Sequence, residues 1–346
     1  MKVRTLTACA PTLLLLFVGG CGAILGIPGD VERADTDSGR DALAPGEGGI
    51  GEDGALLDAP VDAPVDGDAG KPDVPLCDSN KELAAPVLIA SVSTAGQEGS
   101  PRLSDDELTM YFDAQRGDEL YFDIYVAQRT TLTDSFGAFT SLGPGVNTTA
   151  NHEFAPNVSS DGLTIFFERK DPLSAENSDF YVATRPSVLV PFGTASPVSG
   201  VNTPFYESKL FVRGDGSELY FVKKGAQTSL DLHVAKKVAG NYVISRLANV
   251  NSAADEYAPV ISPNGLVLYF SSERPFAAGR TDENIWVATR AKPTDDFGLP
   301  TQVLNVNSLQ DDEPSWISSD GCRLYMISNR PGGAGGQDIY VATRPK

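Results

Sequence analysis

Residues 81–346 contain five copies of one sequence unit, and this repetition constrains the fold more than any other feature of the chain. Each copy carries a two-residue turn signal followed by a run of aromatic and aliphatic residues. The turns lie 55, 54, 49 and 56 residues apart. They are Asp106-Glu107, Asp161-Gly162, Asp215-Gly216, Asn264-Gly265 and Asp320-Gly321. A regular period of this length indicates a repeat architecture, in which each unit buries its apolar faces against its neighbours.

Within each copy the pattern predicts four short strands joined by tight turns. Asp-Gly and Asn-Gly between β-rich runs are typical of hairpins, because these residues tolerate a positive φ angle. The runs are nearly continuously apolar, as expected of strands that neighbours cover on both faces. A unit of four strands and about 50 residues is typical of a propeller blade. We therefore predict an all-β fold, a five-bladed β-propeller of four-stranded antiparallel blades.

The repeats also resemble a known family. Residues 262–275 read SPNGLVLYFSSERP, and residues 318–344 read SSDGCRLYMISNRPGGAGGQDIYVATR. Both segments are similar to the WD-repeat-like β-propeller repeats of TolB-type proteins, and the resemblance covers residues 81–346. The third copy departs most, with Leu210 in place of a proline and Lys223-Lys224 in place of the arginine-containing loop. The resemblance implies a propeller that acts as a binding module.

The two ends of the repeat region predict how the ring closes. The last copy has no fourth strand of its own, and residues 85–94 (APVLIASVST) align with residues 299–308 (LPTQVLNVNS). We expect this N-terminal strand to complete the last blade, which leaves no open sheet edge. Cys77 lies just before that strand and Cys322 lies in the last blade. In an oxidising envelope compartment, we expect a Cys77–Cys322 disulfide across the seam.

The first 21 residues are typical of an export signal. Lys2 and Arg4 form a positive segment, and residues 13–18 form a short apolar core. The segment ends in Val18-Gly19-Gly20-Cys21, which resembles the lipidation signal of bacterial lipoproteins, although leucine is more usual than valine at that place. The resemblance implies a lipid on Cys21 that anchors the chain in the outer membrane. An ordinary secretory signal is the alternative, and the face of the membrane stays open.

Residues 22–80 predict a disordered tether. They are rich in Gly, Pro, Ala and Asp, with 14 acidic and 3 basic residues. Low hydrophobicity with high net charge does not bury enough apolar surface to offset chain entropy. Residues 35–41 (DTDSGRD) lack the glycine and closing glutamate of a calcium loop, so no calcium is expected there. The net charge of −19 for the whole chain argues against nucleic-acid binding.

One acid precedes the first strand of each copy. In one interpretation the five carboxylates surround the channel, where they bind a cation or act in pairs on a glycosidic bond. In the other they accept hydrogen bonds from the backbone or from Arg116, Arg274 and Arg330, and their presence in every copy favours this structural role. The five acids are Glu98, Glu153, Glu207, Glu256 and Asp312.

Residues that break the repeat are better candidates for a ligand face, because a site is usually asymmetric. His152 and His233 lie at different places in the repeat, so we predict no metal site and no cofactor. For Trp316, packing in the core of the last blade is the alternative to a ligand-binding role. The repeat-breaking candidates are His152, Phe205, Tyr206, Tyr257, Trp316 and the loop around Arg280.

Two functions follow from this sequence. The first is a monomeric, lipid-anchored envelope propeller that binds or scaffolds an unknown protein or envelope glycan without catalysis. The second is a carbohydrate-active enzyme, a glycan hydrolase or lyase, that uses carboxylates at the propeller channel. An enzyme requires acids at unequal, non-repeat positions that converge in the channel, whereas the acids noted above are repeat-equivalent. This difference favours the binding module.

Overall fold

The computed structural model describes residues 77–78, 81–116, 120–173, 178–214, 216–224, 229–276 and 282–345. Within these ranges the regular elements are twenty β-strands, arranged as five four-stranded antiparallel sheets. The first strands of consecutive sheets contact one another in turn, and the first strand of the last sheet contacts that of the first. The sheets therefore form a ring, and the predicted five-bladed β-propeller is confirmed.

The strands follow the chain in blade order. The N-terminal strand is β1 (Val87–Leu88). Blade 1 contains β2 (Gln97–Leu103), β3 (Thr109–Gln115), β4 (Asp123–Gln128) and β5 (Thr140–Ser141). Blade 2 contains β6 (His152–Val158), β7 (Thr164–Lys170), β8 (Ser178–Thr184) and β9 (Ser196–Pro197). Blade 3 contains β10 (Glu207–Arg213), β11 (Glu218–Lys224), β12 (Leu230–Val238) and β13 (Asn241–Arg246). Blade 4 contains β14 (Glu256–Ile261), β15 (Val267–Ser272), β16 (Asn284–Thr289) and β17 (Thr301–Gln302). Blade 5 contains β18 (Asp312–Ile317), β19 (Arg323–Ser328) and β20 (Asp338–Thr343).

Blade 5 receives its fourth strand from the N-terminal segment, as predicted. Strand β1 pairs antiparallel with β20, with Val87 opposite Val341 and Leu88 opposite Tyr340. Cys77 and Cys322 form a disulfide that closes a sequence separation of 245 residues. The Cys77 backbone N–H also donates to the Asp320 carbonyl at 2.9 Å. The seam is therefore held by strand pairing and by a covalent bond.

The blades pack through large side chains that are fully buried between neighbouring sheets. The second strand of blades 1 to 4 places a phenylalanine at the same position, and blade 5 places Met326 there. All five side chains have no exposed surface. Burial of such a side chain stabilises the fold by about 1.5–3 kcal/mol, which explains why the aromatic pattern recurs. The four phenylalanines are Phe112, Phe167, Phe221 and Phe270.

A buried ion pair reinforces the contact between blades 1 and 5. Glu107 occupies the hairpin between β2 and β3 with φ 59°, at a position where the other four hairpins have glycine. A left-handed conformation is unfavourable for a residue with a side chain. The Glu107 carboxylate accepts two hydrogen bonds from the Arg323 guanidinium, at 2.6 and 2.5 Å, and one from the Tyr325 hydroxyl at 3.0 Å. These contacts offset the strain and explain the exception to the turn pattern.

The two faces of the ring differ in their connections. The upper face carries the segments that lead into each first strand and those that join the second strand to the third. The lower face carries the hairpins between first and second strands, together with the disulfide. The predicted signal, lipidation at Cys21 and tether lie outside the described residues, apart from Cys77 and Asp78. No helix in the described part of the chain is long and apolar enough to cross a membrane.

Candidate functional site

The strongest candidate site is a cavity of about 370 Å³ at the upper end of the channel, which we call the upper cup. Strands β2, β6 and β10 each contain a bulge here, with positive φ at Ser100, Ala155 and Lys209. All three bulge residues line the cavity. A bulge changes the direction in which neighbouring side chains point, and such bulges are common beside functional sites.

Aromatic rings from blades 1 and 2 form one wall of the cup. Phe122, His152 and Phe154 all line it. The rings of His152 and Phe154 are stacked with centroids 5.5 Å apart, and those of Phe122 and Phe154 are 4.9 Å apart. His152 Nδ1 accepts a hydrogen bond from the Phe122 backbone N–H at 3.1 Å. Burial and the nearby Lys170 ammonium lower the pKa of His152, so the imidazole is neutral at pH 7 and acts as a flat ring.

Two buried acids from second strands line the cup as well. Asp113 on β3 accepts a hydrogen bond from the Ala155 backbone N–H at 3.0 Å. Glu168 on β7 accepts one from the Lys209 backbone N–H at 2.9 Å and others from the Ser178 and Ser208 hydroxyls. Each acid thus fixes the bulge of the next blade. Burial raises the pKa of Asp113 to about 6, whereas its hydrogen bonds lower it by less.

Lys209 is the cation at the centre of the upper end. Its ammonium lies 2.6 Å from Glu313 Oε2 on β18, across the channel. Burial alone would lower the pKa of Lys209, but the attraction of Glu313 and Glu283 outweighs it and raises that pKa. Burial, followed by repulsion from Glu313, raises the pKa of Glu283 to about 8. We call Asp113, Glu168, Glu283 and Glu313 the cup acids; they share one lysine.

Arg102, two residues after the bulge residue Ser100, is buried between the blades. Its guanidinium donates to Asn157 Oδ1 at 3.3 Å, to the Leu210 carbonyl at 3.2 Å and to the Ser315 carbonyl. It also lies over the Phe211 ring, 4.9 Å from the centroid. One side chain of blade 1 therefore contacts blades 2, 3 and 5. Burial lowers the pKa of Arg102 to about 9, although the nearby Asp113 carboxylate opposes this shift.

The five acids identified from the repeat lie in a different environment, which we call the clasp. Each is at most 1% exposed. In each clasp a serine or threonine four or five residues earlier donates its backbone N–H to the acid, as Thr148 does to Glu153 at 3.1 Å. Four of the five acids also have a cation within 3.0 Å. These pairs are Glu256 with Arg274, Asp312 with Arg330, Glu153 with Arg169, and Glu207 with Lys223. The clasp acids are Glu98, Glu153, Glu207, Glu256 and Asp312.

The other sequence candidates are distributed between both faces. Tyr206 lines the upper cup together with His152. Tyr257 donates its hydroxyl to Asp255 Oδ2 at 3.1 Å, at the upper face. Trp316 packs edge-on against Tyr325 and lines a different cavity below Arg102. Phe205 is 61% exposed on the upper face. Arg280 lies outside the described residues, and within those residues no group of His, Cys, Asp or Glu has the arrangement of a metal site.

The cup residues could have been found by aligning the five copies. Lys209 stands where three other copies have serine or alanine, and Glu283 and Glu313 have no acidic counterparts in the other copies. Asp113 and Glu168 occupy the same position of the repeat, where the other three copies have Val222, Ser271 and Ile327. Among the repeat-breaking positions, sequence reasoning selected aromatic residues, His152 and the loop around Arg280, and it missed the charged residues of the cup. The sequence does not show which side chains of each strand face the channel, because the bulges shift the alternation of side chains along the first strands.

Comparison with solved structures finds proteins of similar fold. An α-L-arabinofuranosidase from Lactobacillus brevis matches with a TM-score of 0.51 and 14% identity, over 71% of this chain and 90% of that chain. A GH43_1 enzyme from Xanthomonas citri matches with a TM-score of 0.51 and 15% identity, over 75% of this chain and 91% of that one. These likenesses show the fold alone.

TolB from Acinetobacter baumannii is also similar, with a TM-score of 0.46 and 15% identity, over 72% of this chain. The match spans only 55% of the length of that TolB chain. No protein-family model matches the sequence, and no curated protein matches it either. The function therefore has to be argued from the residues of the cup.

Proposed function

We propose that this protein is a lipid-anchored binding module of the bacterial cell envelope, and that it holds a protein or glycan ligand at the upper cup. One observation carries the proposal. The side chains that line the cup differ from blade to blade, whereas the contacts of the clasp acids repeat in all five blades. A concave site with aromatic walls and a few converging polar groups is the usual form of a ligand pocket.

The place where the chain joins the propeller supports this role. Cys77 is bonded to Cys322 next to the lower hairpin of blade 5. Cys77 therefore lies at the lower face, opposite the cup. The chain enters the ring there without covering the cup.

The test compares variants of the full chain purified in detergent. Phe154→Ala and Tyr206→Ala remove two walls of the cup, and Leu299→Ser changes an exposed side chain on a lower-face loop as a control. We expect binding to envelope glycans or envelope proteins to fall at least tenfold in both cup variants and to be unchanged in the control. Equal binding by all three variants would refute a role for the cup.

A second function, hydrolysis of a glycan, is favoured by one specific observation. Asp113, with its raised pKa of about 6, lies in the same cavity as Glu168. A carboxyl group whose pKa is raised towards neutral pH, beside a second carboxyl group, is the arrangement that general acid catalysis at a glycosidic bond requires. If the protein is an enzyme, Asp113→Asn abolishes hydrolysis of envelope glycans and retains their binding. Absence of any product from wild-type protein after long incubation favours the binding module.

A further inference from the structure

The charged side chains that line the upper cup balance one another. They are two carboxylates, Asp113 and Glu168, and two ammonium groups, Lys170 and Lys209. His152 adds no charge, since its imidazole is neutral at pH 7. A ligand with a net charge would lose water on entering this cavity without finding an unpaired opposite charge. The ligand that fits this lining is therefore uncharged.

The groups next to this lining preserve the balance. The Arg102 guanidinium lies beside Asp113, and the Glu313 carboxylate lies 2.6 Å from the Lys209 ammonium. Glu283, whose pKa burial raises to about 8, keeps its proton at pH 7 and adds no charge. These groups therefore bring neither a positive nor a negative excess to the cup.

Two hydrogen-bond donors of the cup have no partner among the described residues. His152 Nδ1 accepts the Phe122 backbone N–H at 3.1 Å, so the neutral ring carries its proton on Nε2. Neither this N–H nor the Lys170 ammonium forms a hydrogen bond or an ion pair with another described residue. Both side chains line the cavity, so both donors are available to a ligand there.

Acceptors reach the cup from blades 1 and 5. The Asp113 carboxylate accepts hydrogen bonds from the Ala155 backbone N–H and from the Ser100 side chain. A carboxylate accepts about four hydrogen bonds, so Asp113 has accepting capacity left. Gln337 lines the cup with a side-chain amide, whose oxygen also accepts. A ligand in the cup therefore has to accept hydrogen bonds on one side and donate them on the other.

Flat apolar surfaces lie between these polar groups. Phe122, Phe154 and Tyr206 line the same cavity. The Phe154 ring stacks on His152 with an angle of 16° between the two planes. An aromatic ring offers a broad and rigid apolar face. The ligand that matches such a cavity combines an apolar face with polar groups around its edge.

We propose that the upper cup binds an uncharged sugar residue of a glycan, with one face of the sugar ring against Phe154. A sugar ring has a face of C–H groups and an edge of hydroxyls, and each hydroxyl both donates and accepts. The hydroxyls accept hydrogen bonds from His152 and Lys170 and donate one to Asp113. The cavity of about 370 Å³ lies within the usual range of small-molecule sites. This inference rests on the proposed binding function and names the class of its ligand.

A side chain of a partner polypeptide fits the cup less well. A lysine or glutamate brings a charge that the balanced lining does not neutralise. A leucine or phenylalanine leaves the donors of His152 and Lys170 without acceptors once water is excluded. A tyrosine has a flat ring but a single hydroxyl, whereas the polar groups of the cup lie on two sides of it.

The experiment measures fluorescence anisotropy with the full chain in a detergent that has no sugar headgroup. The uncharged probes are labelled trisaccharides of galactose, glucose and mannose, and the charged probes are trisaccharides of galacturonic acid and glucosamine. We expect at least one uncharged trisaccharide to bind about tenfold more tightly than both charged ones. Added salt should change its affinity by less than about twofold, because the ligand brings no charge to screen.

A first set of variants tests the flat face. Phe154→Leu keeps the cavity apolar but removes the ring, so the uncharged trisaccharide should bind about fivefold more weakly. Phe154→Tyr keeps the ring and should retain wild-type affinity. Phe205→Leu makes the same change at a residue that is 61% exposed and lies outside the cavity lining, and it should have no effect.

A second set tests the charge balance. Lys170→Met keeps the aliphatic stem but removes the ammonium, so the uncharged trisaccharide should bind about tenfold more weakly. The same variant leaves the lining with a negative excess, so the glucosamine trisaccharide should bind more tightly to it than to the wild type. Lys292→Met makes the same change on a lower-face loop and should alter neither affinity.

Three results would overturn the inference: a charged trisaccharide that binds more tightly than all the uncharged ones, equal binding to wild type and Phe154→Leu, or no binding of any uncharged trisaccharide. The proposed function fails separately. If no trisaccharide binds but Phe154→Ala abolishes capture of an envelope protein, the binding module stands and the sugar is refuted. If the cup variants change no binding at all, both proposals fail.

Discussion

The clasp and the cup place the same residue types in opposite electrostatic situations. Glu256 in a clasp accepts hydrogen bonds from the Ser252 backbone N–H at 3.0 Å, from two hydroxyls and from Arg274 at 2.9 Å. The four cup acids have two cations beside them, Lys209 and, next to Asp113, Arg102. A carboxylate with matched donors holds a fold together, whereas carboxylates that outnumber their cations repel one another, and a ligand can relieve that repulsion. The acids that repeat in every blade therefore have a structural role, and the acids that depart from the repeat mark the candidate site.

The largest change in unfolding free energy is expected from a substitution in a clasp. Glu256→Gln leaves the Arg274 guanidinium facing an amide in a buried position, because the Glu256 side chain has no exposed surface. Removing one partner of a buried pair costs about 3 kcal/mol or more of unfolding free energy. Urea unfolding followed by far-ultraviolet circular dichroism measures this loss.

The clasp prediction has an internal control. Glu256→Gln combined with Arg274→Met removes the unpaired charge and should lose less stability than Glu256→Gln alone. A double variant that is less stable than the single one would show that the pair does not act as a clasp.

The sequence predicted the ring more completely than the site. Turn residues, strand patterns and the alignment of residues 85–94 with 299–308 depend on local conformation that repeats five times, so each copy supports the others. The seam followed from the same alignment, and strand β1 and the Cys77–Cys322 bond lie where it placed them.

The cup depends on contacts between blades, which local patterns do not contain. Lys209 and Glu313 are 104 residues apart in the chain and meet across the channel. Arg102 contacts carbonyls of residues 108 and 213 positions away. His152 and Tyr206 were selected because they break the repeat, and both line the cup; their ligand role stays a prediction. Pairing of single charges over such distances has no periodic signal.

An intermediate change in unfolding free energy is expected from a substitution of the cup acid Glu283. Its neighbours are Glu313 on β18, Lys209 on β10, Asp311 before β18 and Ser271 on β15. Its pKa is about 8 in the fold and 4.5 in the unfolded chain. Between these values the unfolded chain loses the proton while the folded protein keeps it. Stability therefore falls as the pH rises from about 5 to 8, and above 8 the loss is constant.

Glu283→Gln replaces the protonated acid by a group of the same shape that does not titrate. We expect almost no change in unfolding free energy at pH 4, where the acid is protonated in both states, and a gain of a few kcal/mol at pH 8, since the two pKa values differ by about 3.5 units. Glu82→Gln, at an exposed glutamate, serves as the control at both values. A loss of stability at pH 8 would mean that Glu283 is compensated as fully as a clasp acid.

The smallest change in unfolding free energy is expected from a substitution of Asp113. This acid accepts a backbone hydrogen bond, as the clasp acids do, but it lies among the cup acids. It accepts the Ala155 N–H like a clasp acid, yet burial raises its pKa to about 6 from 3.8. Asparagine keeps the accepting oxygen, so Asp113→Asn should leave stability almost unchanged at pH 3 and raise it at pH 7 by less than Glu283→Gln does at pH 8, because the two pKa values of Asp113 differ by only about 2 units. A carboxyl carbon resonance that titrates near pH 6 would confirm that Asp113 is incompletely compensated; titration near the unfolded value of 3.8 would contradict it.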